Sequence, residues 1–310
     1  MRTPGNKPPE QPSLPASRVR RWVGHLFREW TIESWRPATS APAKPEPSKW
    51  SDGQVTLAWI GHSTVLINFF GATVLTDPVL FPRIGIRLPR FTVGPKRLTA
   101  PALRFQELPK IDLILLSHAH FDHLDLQTLR SFDESTSVIT ARRTRDLFKR
   151  TNFSDVTEIG WGERRFLNTP AGEIAITAFP VKHWGARMQR DTYRGYNGYL
   201  IERRGRRIIF AGDTAMTENF AALRRHGPID IAIMSIGAYN PWISSHSTPE
   251  QAVEMANAAG ARFIVPVHHQ TFRLSFEPLR EPIRRFEAAL SKTPERIAVR
   301  EIGQTFVLPS

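Results

Sequence analysis

The segment His118-Ala119-His120-Phe121-Asp122-His123 places three imidazoles and a carboxylate within six residues. Neutral imidazoles are good ligands for zinc and similar ions, and carboxylates complete such shells. So dense a cluster cannot be accounted for as ordinary core residues. It also follows an apolar run, residues 112–116, short enough for a buried strand. Side chains just past the C-terminal end of a strand project from the sheet rim, where open sites form.

The same arrangement recurs downstream. His183 follows the run ending Phe179-Pro180-Val181, Asp213 follows Ile208-Ile209-Phe210-Ala211-Gly212, and His268 follows Phe263-Ile264-Val265-Pro266-Val267. Taken singly, a histidine after a strand is an ordinary satisfied side chain, and Gly-Asp-Thr is an ordinary turn. Four such positions in one chain make a shared site the simpler account.

The positioning elements are read from periodicity. Strands are expected over 55–59, 64–69, 73–76, 112–116, 174–179, 198–202, 207–210, 231–236, 263–267, 300–302 and 305–308. Helices are expected near 125–132, 141–151, 217–226, 249–259 and 278–291. Ser247-Thr248-Pro249-Glu250 supplies a capping hydroxyl, a first-turn proline and an acid to close the capping box. Residues 81–110 read as irregular. Strands first, then strands alternating with helices, imply sheet layers covered by helices.

Composition removes several classes. The 310 residues include no Cys, which excludes disulfide scaffolds, thiolate metal sites and thiol nucleophiles. No apolar run approaches the ~18 residues of a membrane span, and no secretory signal pattern opens the chain. The expectation is a cytoplasmic protein, peripheral at most. Lys and Arg exceed Asp and Glu by 42 to 29, giving +13 and a pI near 10.8, which suits anionic partners. Residues 1–50 form a Pro-rich basic extension ahead of a 51–310 domain. Within it Val19, Trp22, Val23, Leu26, Phe27 and Trp30 recur at helical spacing. That stripe reads either as a membrane-interface contact through residues 18–30 or as a face docked on the protein's own body.

The motif, the later histidine, the later aspartate and the last histidine resemble the metal pattern of the metallo-β-lactamase superfamily. Trp59-Ile60-Gly61-His62-Ser63-Thr64 and Leu75-Thr76-Asp77-Pro78 are similar to one branch of it. That branch holds N-acyl-phosphatidylethanolamine-hydrolysing phospholipase D and ascorbate-6-phosphate lactonase-like hydrolases. His183-Trp184, Phe210-Ala211-Gly212-Asp213-Thr214, Ile236-Gly237-Ala238-Tyr239 and the stretch from His246 to Val253 resemble the phospholipase in particular. The likeness covers about residues 54–290.

The resemblance implies a four-layer αββα sandwich with two zinc ions at one rim, other divalent transition metals being compatible. It implies His118, His120 and His183 on one ion, Asp122, His123 and His268 on the other, and Asp213 bridging. A hydroxide held between the ions would be the nucleophile. Asp122 and Asp213 thereby belong to the catalytic set. His246 is a candidate to bind or protonate substrate, or else only a helix cap. The phospholipase carries His-Trp-Gly-Thr-Phe where this chain has His268-His269-Gln270-Thr271-Phe272. The register favours His268 as ligand and leaves His269 as the alternative. His62 and Asp77 are expected to support ligands by hydrogen bonds. Asp125 is a further candidate for such support, with an exposed helix cap the favoured reading, and Tyr239, Trp242, Trp184 and Phe272 read as channel lining or core.

The function so implied is a phosphodiesterase of phospholipase D type on N-acyl-phosphatidylethanolamine-like lipids. The alternative is a soluble lactonase or small phosphate-ester hydrolase. Expected partners are a phospholipid or small ester substrate. A homo-oligomer is compatible with the sequence. Nucleic acid is disfavoured, because the 54 residues between Asp213 and His268 are too few for the domain that RNA-processing members insert.

Overall fold

A computed structural model describes residues 35–188 and 191–310, so the stripe at residues 18–30 lies outside the described residues. The strands are β1 (Val55–Gly61), β2 (Thr64–Phe69), β3 (Ala72–Thr76), β4 (Ile86–Arg87), β5 (Thr92–Val93), β6 (Leu113–Leu116), β7 (Ser137–Ala141) and β8 (Val156–Ile159). They continue as β9 (Arg164–Thr169), β10 (Gly172–Phe179), β11 (Gly198–Arg203), β12 (Arg206–Phe210), β13 (Ile229–Ser235), β14 (Ala261–Val267) and β15 (Thr305–Val307). One sheet runs β15-β1-β2-β3-β6-β7-β8, the other β14-β13-β12-β11-β10-β9, and β4-β5 form a separate hairpin.

Strand alternation dictates the layers. Leu57 and Trp59 of β1, Leu113 and Leu115 of β6, Ile208 and Phe210 of β12, and Ile231 and Ile233 of β13 share one central core between the sheets. The alternate residues of the first sheet, Ala58, Ile60, Ile114 and Leu116, pack outward with Leu124, Leu129 and Phe148. Those of the second, Ile209, Ala232 and Met234, pack outward against Ala252, Ala256 and Phe286 of covering helices. Strands buried on both faces read as unbroken apolar runs, which is why the sequence shows them so plainly. The result is the αββα sandwich expected.

The helix Pro249–Ala259 has the expected bounds and ends at Gly260 in the left-handed conformation. Its capping box closes through Gln251, not the expected acid: Thr248 Oγ1 accepts from Gln251 N at 3.3 Å, and Thr248 N donates back to Gln251 Oε1 at 3.0 Å. Glu250 instead pairs with Arg285 at 2.8 Å. The expected helices at 125–132 and 278–291 shorten to Leu126–Leu129 and Glu281–Ala289. Those at 141–151 and 217–226 are 3₁₀ segments, Arg145–Arg150 and Glu218–His226. In the latter the buried Phe220 and Leu223 lie three apart, the 3₁₀ period. Residues 300–302 are no strand. Glu301 N and Arg300 N instead donate to Gln304 Oε1 in a turn before β15.

Residues 39–50 lie against the body. Thr39 bridges Thr99, and Ala43 N donates to Ile302 O at 3.2 Å. Among the described residues no helix is long and apolar enough to cross a membrane.

Candidate metal centre

Strand ends from both sheets meet at one rim. β3 delivers Asp77, β6 delivers Ser117 and the histidine motif, β10 leads to His183, β12 to Asp213 and β14 to His268. The β1–β2 turn adds His62. Close packing holds the rim together. A Cβ on Gly212 would lie 2.6 Å from Ser117 Cβ, and one on Gly237 would lie 2.2 Å from the His268 carbonyl. His62, Asp77, Ala238, His268 and Gln270 all have positive φ. Non-glycine residues in that region cost energy and concentrate where surrounding structure over-determines a functional site.

Two groups of side chains that could ligate metal stand at this rim. In the first, His118 Nε2 lies 2.8 Å from His120 Nδ1, which lies 3.3 Å from His183 Nε2. In the second, Asp122 Oδ2 lies 3.3 Å from His268 Nε2 and 3.6 Å from His123 Nε2. Asp213 Oδ2 stands between them: 3.0 Å from His123 Nε2, 3.2 Å from His268 Nε2 and 4.0 Å from His183 Nε2. His246 Nδ1 faces the same oxygen at 3.8 Å. The structure thus brings every residue of the expected ligand set, and His246, into one cluster. His269 turns elsewhere: its ring lies 4.5 Å from that of Trp59, and Gln270 Nε2 meets its Nδ1 at 3.1 Å.

Partners behind the cluster fix which nitrogen faces in. Asp77 Oδ1 accepts from Ser117 N at 2.7 Å; its Oδ2 accepts from Ser117 Oγ at 2.5 Å and His123 Nδ1 at 2.6 Å. Ser117 Oγ, its proton given to Asp77, accepts from His118 Nδ1 at 2.8 Å. His183 Nδ1 donates to the Ser245 carbonyl at 2.8 Å. These bonds keep protons on Nδ1 and turn the Nε2 lone pairs inward. His62 Nε2 reaches Asp122 Oδ2 at 3.0 Å, and His62 stands with Asp122, His123 and His268 in one group that could hold an ion. Sequence reasoning missed Ser117, although it immediately precedes the motif. It also missed Arg187, whose guanidinium donates to the carbonyls of Ala119 and Leu124 at 3.0 and 2.7 Å and covers Phe121.

Charge and satisfaction fit metal. Burial pushes His120 down to about 3, His183 to about 4, and His118 well below its ordinary value, so these imidazoles are neutral, the form that could ligate a cation. Burial opposes the His268 cation too, yet Asp213 and Asp122 outweigh it and raise that group to about 9. Burial likewise opposes ionisation of both carboxylates, but the imidazoles around them hold each well below the usual carboxylate range. The second set therefore attracts positive charge. Buried His123 Nε2, His268 Nε2, His246 Nδ1 and Asp213 Oδ1 find no hydrogen-bond partner in the protein. Such groups are costly unless something else engages them. Imidazoles and carboxylates converging with free lone pairs fit divalent cations.

Other expected residues fall outside the cluster. Asp125 caps its helix, accepting from Gln127 N and Thr128 N, but is buried, not exposed as expected, because its carboxylate also takes the Thr128 hydroxyl at 2.6 Å. Thr248, not His246, caps the helix at Pro249. Tyr239 and Phe272 are buried, Tyr239 donating to Glu281. Trp242 donates to the Leu274 carbonyl at 3.4 Å. Trp184 is partly exposed, with its ring 4.4 Å from that of His120, and so borders the mouth.

Residues 72–269 match the β-lactamase superfamily domain. A protein of Mycobacterium tuberculosis is 32% identical over 279 residues, covering 87% of this chain and 73% of its own length. N-acyl-phosphatidylethanolamine-hydrolyzing phospholipase D 1 of Caenorhabditis elegans is 32% identical over 238 residues, covering 72% of this chain and 65% of its own. In structure, the metallo hydrolase Igni18 of Ignicoccus hospitalis superposes with a TM-score of 0.63 at 20% identity, covering 83% of this chain and 99% of that one. The chain therefore belongs to the β-lactamase superfamily, as a metal-dependent hydrolase of the metallo-β-lactamase fold.

Proposed function

We propose that the protein is a dinuclear metal phosphodiesterase of phospholipase D type, acting on N-acyl-phosphatidylethanolamine-like lipids. The observation that carries this reading is Asp213 Oδ2 standing between two ligand sets, within 4.0 Å of imidazoles from each. His118, His120 and His183 would hold one ion and Asp122, His123 and His268 the other, with Asp213 available to both sets. Zinc suits this nitrogen and oxygen set. Two bound dications supply Lewis acidity and lower the pKa of water, which suits in-line displacement at phosphorus. Hydrolysis adds water across the P–O bond to the headgroup alcohol, leaving a phosphomonoester and the free alcohol.

The protein's own groups set the rest. Asp77, Ser117 and the Ser245 carbonyl fix the imidazole orientations. Burial holds His246 neutral, so its ring binds substrate oxygen by hydrogen bonding and is no cationic acid. Trp184 borders the mouth with an apolar face suited to a lipid. The identity with the worm phospholipase over 72% of the chain supports the lipid class. The Ser117 hydroxyl is committed to Asp77 and His118, and the sequence has no cysteine, so neither competes with water as nucleophile.

The test is a turnover screen of metal-loaded protein on N-acyl-phosphatidylethanolamine micelles, phosphodiesters and lactones. Cleavage of the lipid to phosphatidate and N-acylethanolamine is expected. Lactone turnover without phosphodiester turnover would replace this reading with the lactonase. Asp213→Ala is expected to lose bound metal by elemental analysis and nearly all turnover, because it removes the group shared by both sets; full activity in that variant contradicts the assignment.

A further inference from the structure

The β4–β5 hairpin stands apart from both sheets, and its two faces differ in kind. Ile86 pairs with Val93, and Leu88 N donates to Phe91 O at 2.8 Å. Alternation along a strand puts these four side chains on one face and the Arg87–Thr92 pair on the other. The four apolar residues are 47%, 39%, 56% and 40% exposed, in the order Ile86, Leu88, Phe91, Val93. No third strand joins this ribbon among the described residues, and a lone two-stranded ribbon gains little from water. From Asp77 to Glu107 the intervening chain holds six Lys and Arg and no acid. Arg87 and Arg90 are exposed, on the back of the hairpin and at its turn.

We propose that this hairpin is an interfacial anchor, which inserts its apolar face into the surface of an anionic lipid bilayer. Arginines beside apolar tips lie at the headgroup level, with their stems in the apolar layer and their charges on lipid phosphate. A protein partner fits less well. Four side chains on strands of two residues fall far short of the about 800 Å² per partner that a stable interface buries. The root of the hairpin ties it to the metal centre. Ile84 packs with Val79, Phe272, Phe121 and Leu274. Phe121 lies inside the histidine motif, and the Phe272 ring is 5.1 Å from that of His62. At the other root the buried Arg97 donates to the Phe81 and Thr99 carbonyls at 3.1 and 3.3 Å and covers Phe272. An anchored hairpin therefore holds the mouth against the membrane. In this respect the anchor rests on the lipid reading above; its physics rests on the hairpin alone.

The experiment is flotation of the full-length, metal-loaded protein with phosphatidylcholine vesicles, plain or containing phosphatidylglycerol. The protein is expected to float with the anionic vesicles and much less with the neutral ones. Leu88→Asp with Phe91→Asp is expected to weaken flotation by about tenfold or more. Arg87→Glu with Arg90→Glu, which leaves the apolar face intact, is expected to weaken it on anionic vesicles only. Metal content, melting temperature and turnover of a water-soluble phosphodiester should stay unchanged in both variants. Equal flotation of the variants, or a wild-type dimer that the Asp variant converts to monomer in light scattering, would overturn the anchor. Flotation lost in the variants, in a protein that cleaves no phosphodiester, would leave the anchor standing and remove the substrate reading.

Discussion

Asp77 engages three groups at once: the Ser117 amide, the Ser117 hydroxyl and His123 Nδ1. It thereby orients His123 directly and His118 through Ser117. Asp77→Asn keeps the shape but can no longer accept all three bonds. Metal affinity is expected to fall by about 10–100-fold, the usual effect of removing such a support. Chelator competition measures it, with circular dichroism confirming an intact fold; wild-type affinity in the variant would refute the role. The ligand-type residues were legible in the sequence because the motif, His183, Asp213 and His268 each begin within two residues of the end of an apolar run. Ser117, the Ser245 carbonyl and Arg187 were not. A serine or a backbone carbonyl carries no pattern of its own, and Arg187 reaches Ala119 and Leu124 across 68 and 63 residues of chain.

At the scale of elements, legibility followed burial. Strands buried on both faces, such as β6, β12, β13 and β14, were readable as apolar runs. β9 was missed because as an edge strand it is largely exposed, with Arg164, Arg165 and Asn168 interrupting any alternation. Such charge protects an open edge. β7 was missed because a helix was expected to begin at its last residue, and β8 because only its two end residues are buried. The loop after β10, which carries His183 and Trp184, is held by the Arg194 guanidinium on Asp146 at 2.6 and 2.9 Å and on Asp191 at 2.6 Å. Hydrogen bonding to Arg194 lowers the Asp146 carboxyl below its ordinary value. A depressed carboxylate contributes stability above the unfolded Asp value, near pH 4, and loses it as pH falls through the folded value. Asp146→Asn should therefore flatten the acid limb of the stability curve below about pH 5. Its effect at pH 7 should be small, about 0.5 kcal/mol, since Asp146 is half exposed and screened. Urea midpoints across pH check this; an acid limb as steep as the wild type's would count against the pair.

For the whole molecule, the decisive fact is that the candidate ligands are drawn from two sheets. His118, His120, Asp122 and His123 follow β6 of the first sheet, while His183, Asp213 and His268 follow strands of the second. The central core joins the sheets mainly through apolar contacts, with the buried Tyr199 hydroxyl of β11 donating to the Leu116 carbonyl of β6 at 2.8 Å. At the rim, two carboxylates and several inward nitrogens face one another, a crowd that is costly unless a cation sits among them. Metal should accordingly act as a clamp between the layers and stabilise the fold as a ligand does. At a free concentration of about 100 times the dissociation constant, one ion adds about 2.7 kcal/mol. For a domain of this size that corresponds to a rise of about 5 °C in melting temperature. Calorimetry of chelator-stripped and zinc-reloaded protein should show that rise. Asp213→Ala should show little of it, because the residue spanning both sets is gone. If stripped and reloaded protein melt together, the cations do not join the sheets, and the rim histidines must be satisfied within the protein.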